Sequence, residues 1–550
     1  MKKLLIILLI GVCGALTAQN NQSSYNIKRA LDAAQSGNEQ DALKFLVKET
    51  KENPTNGYAY LFLASICNEL GYNSAVLRFG NDAIRYLGKT EPNMTAGVAE
   101  MMAEVYLAGG DTVRALSMYD RCAEISKYFK GTYTGRAWIY YKNGRYDDMF
   151  AEGEKFAKLY PKSLIGYVIM SDAKTGMRRY MDALNLADKA YARLEKEDEN
   201  EHLVRGSRAK ALFGLGRYEE SLNEAVRSAN LHITSSVLQL IEDMADSVPG
   251  PMVLDTLQAV WERDKQQTTW LYVMSDIYRS RNDYINTALM LHKALAIEEN
   301  NSAKESLSSL YINYLASPEE GERLLLEILK TDSANVPVYI ELIQLYHDMD
   351  RYDDALKSAD KCMQLAQKDK DVATCLMLRG RVYEYMHDYR HAVDDYFRYL
   401  IYKPENHDLW FRIGRVLRLS GDTVGAEKVF EEGKRAMMVD NGELTAEALL
   451  ELGEYDKATE AVEQRLQKSK SRPSERYNAA CVYAMAGRSS EALRELEAAF
   501  EYGFRNFYHI VWDSDLDNLR ALPEFNALVN KYKEKAEEEK ILLRKLVADL

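Results

Sequence analysis

A pattern of three residue types returns along this chain at a spacing close to 34 residues, and few folds tolerate it. In Gly144-Arg145-Tyr146 a turn residue is followed two positions later by an aromatic, with a small residue due five positions after the turn. Gly37 leads in the same way to Ala42, Gly110-Thr112 to Ala115, Arg178-Tyr180 to Ala183 and Gly216-Tyr218 to Ser221. Further along, Asn282-Tyr284 leads to Thr287, Asp350-Tyr352 to Ala355, His387-Tyr389 to Ala392, Gly421-Thr423 to Ala426, Gly453-Tyr455 to Ala458, and Gly487 to Ala492. Steps of 34 run from 37 to 71, 110 to 144, 144 to 178, 387 to 421 and 453 to 487, and a step of 68 runs from 282 to 350. Repeats of this length mark a solenoid. The turn residue sits where the chain must leave helical angles. A Tyr four before it (Tyr106, Tyr140, Tyr278, Tyr346, Tyr383, Tyr483) lies one helical turn back, on the expected buried face. The small residue lets a second helix approach the first, and Pro54, Pro161 and Pro404, twelve after the small slot, end that second helix.

Two stretches carry the pattern almost whole. One is Leu409-Trp410 to Gly414 with Leu417, Gly421, Ala426 and Phe430; the other is Tyr477-Asn478-Ala479-Ala480-Cys481-Val482-Tyr483-Ala484 with Gly487 and Ala492. These residues resemble the tetratricopeptide repeat, and the resemblance extends from about Tyr25 to Arg505. It implies an all-α solenoid, a right-handed superhelix of about fourteen helix-turn-helix hairpins. Two slots depart from the pattern, around Ser247-Val248-Pro249-Gly250-Pro251 and Ser317-Pro318-Glu319-Glu320-Gly321, and read as degenerate repeats. The expected organisation is a leader at 1–18, an N-terminal array at 19–248, a C-terminal array at 249–505 and a closing segment with a helix at 506–550, with flexing expected near Pro249. Trp512 to Arg520 followed by Pro523-Glu524-Phe525 resembles the segment that closes such arrays. The last apolar residues, Ile541-Leu542-Leu543 and Leu546-Val547, are available to a partner.

The 550 residues are 47% hydrophobic and 28% charged, the balance of a folded protein, and the ten prolines are few enough for a helical one. Lys2 and Lys3, the apolar run Leu4 to Ile10 and Ala15-Leu16-Thr17-Ala18 read as a cleaved export signal, too short to span a bilayer. Lipid attachment at Cys13 is the rival reading, weakened by Val12 in place of a small residue. The leader and the Thr-Ala-Gln-Asn junction resemble those of exported proteins of the Bacteroidota, which implies the periplasm or the outer-membrane periphery and association with an outer-membrane assembly. Net charge is −13 with no basic block, so no nucleic-acid partner is expected. Beyond Cys13 the five cysteines (67, 122, 362, 375, 481) are odd in number and widely spaced, and they read as small core residues rather than a disulfide framework.

No zinc, nucleophile-elbow or phosphate-loop motif interrupts the repeats, and no gap of about 100 residues is left for a catalytic domain. No enzymatic activity and no cofactor are expected. Asp513, Asp515, Asp517 and Glu524 mimic the ligand spacing of a calcium loop, but Asn518 stands where that loop needs Gly. His387 and His391, four apart, read as a surface pair rather than metal ligands. The repeat register places Arg381, Arg412, Arg415 and Arg418 on the exposed inner face of two successive first helices, a basic stripe that Asn478 extends. Arginine's planar fork of donors suits an acidic peptide or a terminal carboxylate, unless Glu384, Asp408 and Glu447 neutralise it. The expected function is a protein- or peptide-binding scaffold of the cell envelope. The alternative is a glycan- or peptidoglycan-binding module, whose sign would be exposed aromatics in the groove.

Overall fold

The computed structural model describes residues 24–248, 250–439, 444–468 and 472–550, so the leader, Cys13 and Pro249 lie outside it. Among the described residues there are 31 α-helices and no β-strand. They form two compact units divided between Val253 and Leu254. In the first unit successive helices pair as antiparallel hairpins from Ser24–Gln35 with Glu39–Glu52 to Glu201–Gly214 with Tyr218–Leu231. In the second they run from Thr269–Ser280 with Tyr284–Ile297 to Pro473–Met485 with Ser489–Glu501. Thirteen such hairpins are present, and Ser235–Ser247 and Met252–Arg263 stand where the sequence places one more.

The turns follow from the chemistry of their slot. Gly144 has φ 68°, its N–H donates to Tyr141 O at 3.1 Å, and the Arg145 N–H donates to Tyr140 O at 2.8 Å. That pattern caps the carbonyls at a helix end. Arg178, Asn282, Asp350 and His387 occupy the same slot at φ 57–59°, where a Cβ is disfavoured. The small-residue slot is buried at every position from Ala42 to Ala492, and Ser221 Oγ reaches the facing helix, donating to Ala209 O at 2.8 Å. Second helices end at Glu52, Leu159 and Tyr402, two residues before Pro54, Pro161 and Pro404. The aromatic slot is less uniform than expected. Tyr346 and Tyr483 are buried, whereas Tyr106, Tyr140, Tyr278 and Tyr383 are half-buried, and arginines cover the rings of Tyr140 and Tyr346 at 4.6 and 4.3 Å.

Two expectations are corrected here. Cys362 and Cys375 form a disulfide, with Cα atoms 6.2 Å apart. It ties the second helix of one hairpin, Tyr352–Leu365, to the first helix of the next, Asp369–Tyr385. Inter-hairpin packing, and not sequence spacing, brings the two sulfurs together; Cys67, Cys122 and Cys481 are buried and free. The closing segment is also more than an end cap. It returns to the beginning of its own unit: Arg505 N donates to Asn313 O at 3.0 Å, Tyr508 OH to Glu319 Oε1 at 3.1 Å, and Tyr284 OH to Tyr502 O at 3.3 Å. Asn506 Nδ2 donates to Asp348 Oδ2 at 2.7 Å. In the long final helix Pro523–Ala548, Leu543 is buried with Leu307 and Leu310, and Val547 packs beside them. Only part of the apolar end stays open, with Ile541 61% exposed and Leu542 47%. The second unit is a closed turn of the solenoid.

Candidate functional site

Closure creates a cleft of about 270 Å³ inside the second unit. Four successive first helices, Asp369–Tyr385, Asp408–Leu419, Ala446–Glu451 and Pro473–Met485, bring Arg381, Arg412, Arg415, Glu451 and Asn478 to its wall. Four of the five residues expected at a binding stripe therefore share one cavity. Arg418 does not. Its Nη2 pairs with Glu427 at 2.8 Å, its Nη1 donates to Glu451 O at 3.2 Å, and its guanidinium lies 4.3 Å from the Phe430 ring centre.

The stripe is not a free basic surface, which corrects the expectation. Glu384, buried, accepts from Arg412 Nε at 2.8 Å, Arg415 Nη2 at 2.9 Å and Tyr396 OH at 2.7 Å. Burial works against its charge, but the two arginines outweigh burial and hold its carboxyl below the usual range. The other two acids expected to neutralise the stripe are engaged elsewhere. Asp408 accepts from Thr445 Oγ1 at 2.8 Å, and Glu447 accepts from Arg465 Nη1 at 3.1 Å. Arg381 is left without an ion pair among the described residues, and its buried Nε meets no hydrogen-bond partner; the Nε of Arg415 is likewise unmet.

The far wall comes from the closing segment, which sequence patterning did not place here. Asp513 Oδ2 accepts from Tyr477 OH at 2.6 Å and from Cys481 Sγ at 3.6 Å, and lies 3.4 Å from His509 Nε2. His509 Nδ1 lies 3.1 Å from Asp348 Oδ1. Burial disfavours the imidazolium, yet these two carboxylates overcome it and raise His509 to about 9. Burial drives the Cys481 thiol and the Tyr477 hydroxyl well above their ordinary values, and Asp513 reinforces both shifts. Asp515 Oδ1 and Glu451 Oε1 lie 3.6 and 3.4 Å from the same Arg415 Nη1. Burial lifts Glu451 to about 6, and burial with Asp513 nearby raises Asp515. The one sequence signal for this wall was the Asp-x-Asp-x-Asp run, read for calcium spacing.

A tetratricopeptide-repeat family model matches residues 377–436, a stretch that holds all four expected arginines. The fold is a tetratricopeptide-repeat solenoid. No curated protein matches the chain in sequence. Among solved structures, a tetratricopeptide repeat protein from Parabacteroides merdae is 15% identical, with 53% of this chain and 99% of that one covered at a TM-score of 0.34. Yeast Tom70 is 14% identical over 81% and 97% at 0.31, and a Naa15/Naa10 structure bound to HypK-THB is 12% identical over 95% and 81% at 0.30.

The remaining candidates fall on ordinary features of tetratricopeptide hairpins. Asp513 Oδ1 caps the Asp515 N–H at 3.1 Å, Asp517 pairs with Arg520 at 2.7 Å, and Arg520 Nη2 donates to Asp513 O at 2.7 Å. An arginine thus sits where a calcium loop would need its cation, and Glu524 is exposed on the final helix. His387 Nδ1 contacts Tyr389 OH at 2.9 Å, while His391 Nδ1 contacts Asp388 at 2.7 Å, so the pair serves separate partners. In the first unit, the first helix Lys130–Lys142 exposes Trp138 and Tyr141 by 51% and 45%. Lys142 lies 5.7 Å from the Trp138 ring centre.

Proposed function

We propose that this tetratricopeptide solenoid is a protein-interaction scaffold of the bacterial cell envelope and that its second unit recognises a partner protein or peptide at the Arg381 cleft. The observation that carries this reading is the cleft itself, where four successive first helices converge and the buried Nε of Arg381 meets no partner among the described residues. A buried donor without a partner is costly, at about 1–3 kcal/mol, and a ligand acceptor would recover that cost. An export signal at 1–18 with the mature chain in the periplasm belongs to the same proposal. The Cys362–Cys375 disulfide supports it, because such bonds persist in oxidising compartments. Among the described residues no helix is long and apolar enough to cross a membrane. Association with an outer-membrane assembly is part of the proposal.

The test is crosslinking in the native envelope followed by affinity capture, with wild-type chain and Arg381→Glu side by side. Arg381 makes no ion pair among the described residues, so its reversal should leave the helices intact while repelling an acidic ligand. One dominant partner at near-equal amounts, lost in the variant, is the expected result. Equal recovery by both proteins contradicts the assignment of the site. A second reading, glycan binding, draws on exposed Trp138 and Tyr141, since sugar rings stack on open aromatic faces. Capture of glycan without protein would favour it.

A further inference from the structure

Two unmatched charge deficits lie in the same cleft. At one wall, Arg381 presents a guanidinium without an ion pair among the described residues, its Nε buried and unmet, and Asn478 projects an exposed side chain nearby on the cleft lining. At the other, Glu451 and Asp515 share a single arginine nitrogen at 3.4 and 3.6 Å, and neither carboxylate accepts a hydrogen bond from a described residue. Arg412 is paired with Glu384 at 2.8 Å and Arg415 is divided between Glu384 at 2.9 Å and these two acids, so two arginines face three carboxylates. His509 cannot supply the missing cation, being held between Asp348 and Asp513 at 3.1 and 3.4 Å. Burial raises Glu451 to about 6 even though Arg415 and Arg412 pull it down. Phe411, Val482 and Met485 add an apolar stretch of wall.

A simple anion would satisfy Arg381 and leave the acids as they are; a simple cation would do the reverse. We infer that the cleft binds a zwitterion, an amino acid or short peptide whose carboxylate meets Arg381 and whose ammonium meets Glu451 and Asp515. This deepens, and rests on, the reading of the cleft as a recognition site. A cleft of about 270 Å³ has room for an amino acid or the end of a short peptide. One of the two acids, Asp515, reaches the site only because the closing segment carries it back into the solenoid, so the site is complete only in the full-length second unit.

Isothermal titration of the full chain with leucine, glycyl-leucine and diglycyl-leucine tests this. At least one should bind, and its N-acetylated and C-amidated forms should each bind at least tenfold more weakly. Arg381→Gln should bring the free peptide down to the affinity of its amide, and Asp515→Asn down to that of its N-acetyl form, with the helical circular dichroism of both variants unchanged. Failure of all three probes, or blocked forms binding within threefold of the free one, overturns the inference. If Arg381→Glu loses the captured protein partner while no zwitterion binds, the zwitterion inference alone falls. If a zwitterion binds as described while partner capture is indifferent to Arg381→Glu, the inference holds and the scaffold assignment falls.

Discussion

At the turn between paired helices a single residue adopts a left-handed backbone, and the sequence names that residue in twelve of the thirteen described hairpins, missing Ala316. Every turn slot read from the 34-residue step, from Gly37 to Gly487, has positive φ. The residue five later is buried throughout and small at most slots, while Val76 and Met149 fill it after Gly71 and Gly144. Where the slot holds a side chain it is strained. Arg178, exposed at φ 59°, is the cleanest case. Relief of a left-handed cost of about 1–2 kcal/mol outweighs the extra freedom glycine gives the unfolded chain, at about 0.5–1 kcal/mol. Arg178→Gly should therefore stabilise the first unit by up to about 1 kcal/mol in chemical denaturation, and a loss of stability would contradict this account of the turn. The same register placed Arg381, Arg412, Arg415 and Asn478 on one surface. It offered Glu384, Asp408 and Glu447 alike as neutralising acids and did not tell that Glu384, of the three, would bind two of those arginines. Helical period tells which residues share a face, and rotamers decide which of them pair.

Between elements the sequence is less informative. Hairpins were legible because their contacts are local and repeat, whereas the Cys362–Cys375 bond and the Asp348–His509 contact depend on distances set by packing. The latter joins the helix Val336–Asp348 to the short helix Phe507–Trp512 across 161 positions. Two carboxylates raise His509 to about 9 against an ordinary value near 6.5. A raised histidine contributes stability that is full below its unfolded value and is lost as pH climbs through the folded one. The contact should thus contribute about 3 kcal/mol at pH 6 and fade between pH 6.5 and 9. Denaturant titrations of wild type and His509→Gln should show the difference in stability between them shrinking by that margin over the window. Parallel pH profiles would contradict the role given to His509.

The whole molecule is two units of stacked hairpins, each hairpin covering the apolar face of its neighbours, so stability is local along the array. Closure of the second unit breaks that rule. Its final helices meet helices from more than 150 positions earlier and turn an open concave face into a bounded cleft. Nothing in a repeat period encodes this return. A residue such as Asp515 reads as part of a polar end cap until the closing segment is seen to lie against Arg415. The central claim is that this interior is where a partner docks. Amide hydrogen exchange on the protein, with and without its captured partner, is the test. The account predicts added protection at Asp369–Tyr385, Asp408–Leu419, Pro473–Met485 and residues 506–516, with the first unit unchanged. Protection confined to the first unit, around Trp138 and Tyr141, would contradict it.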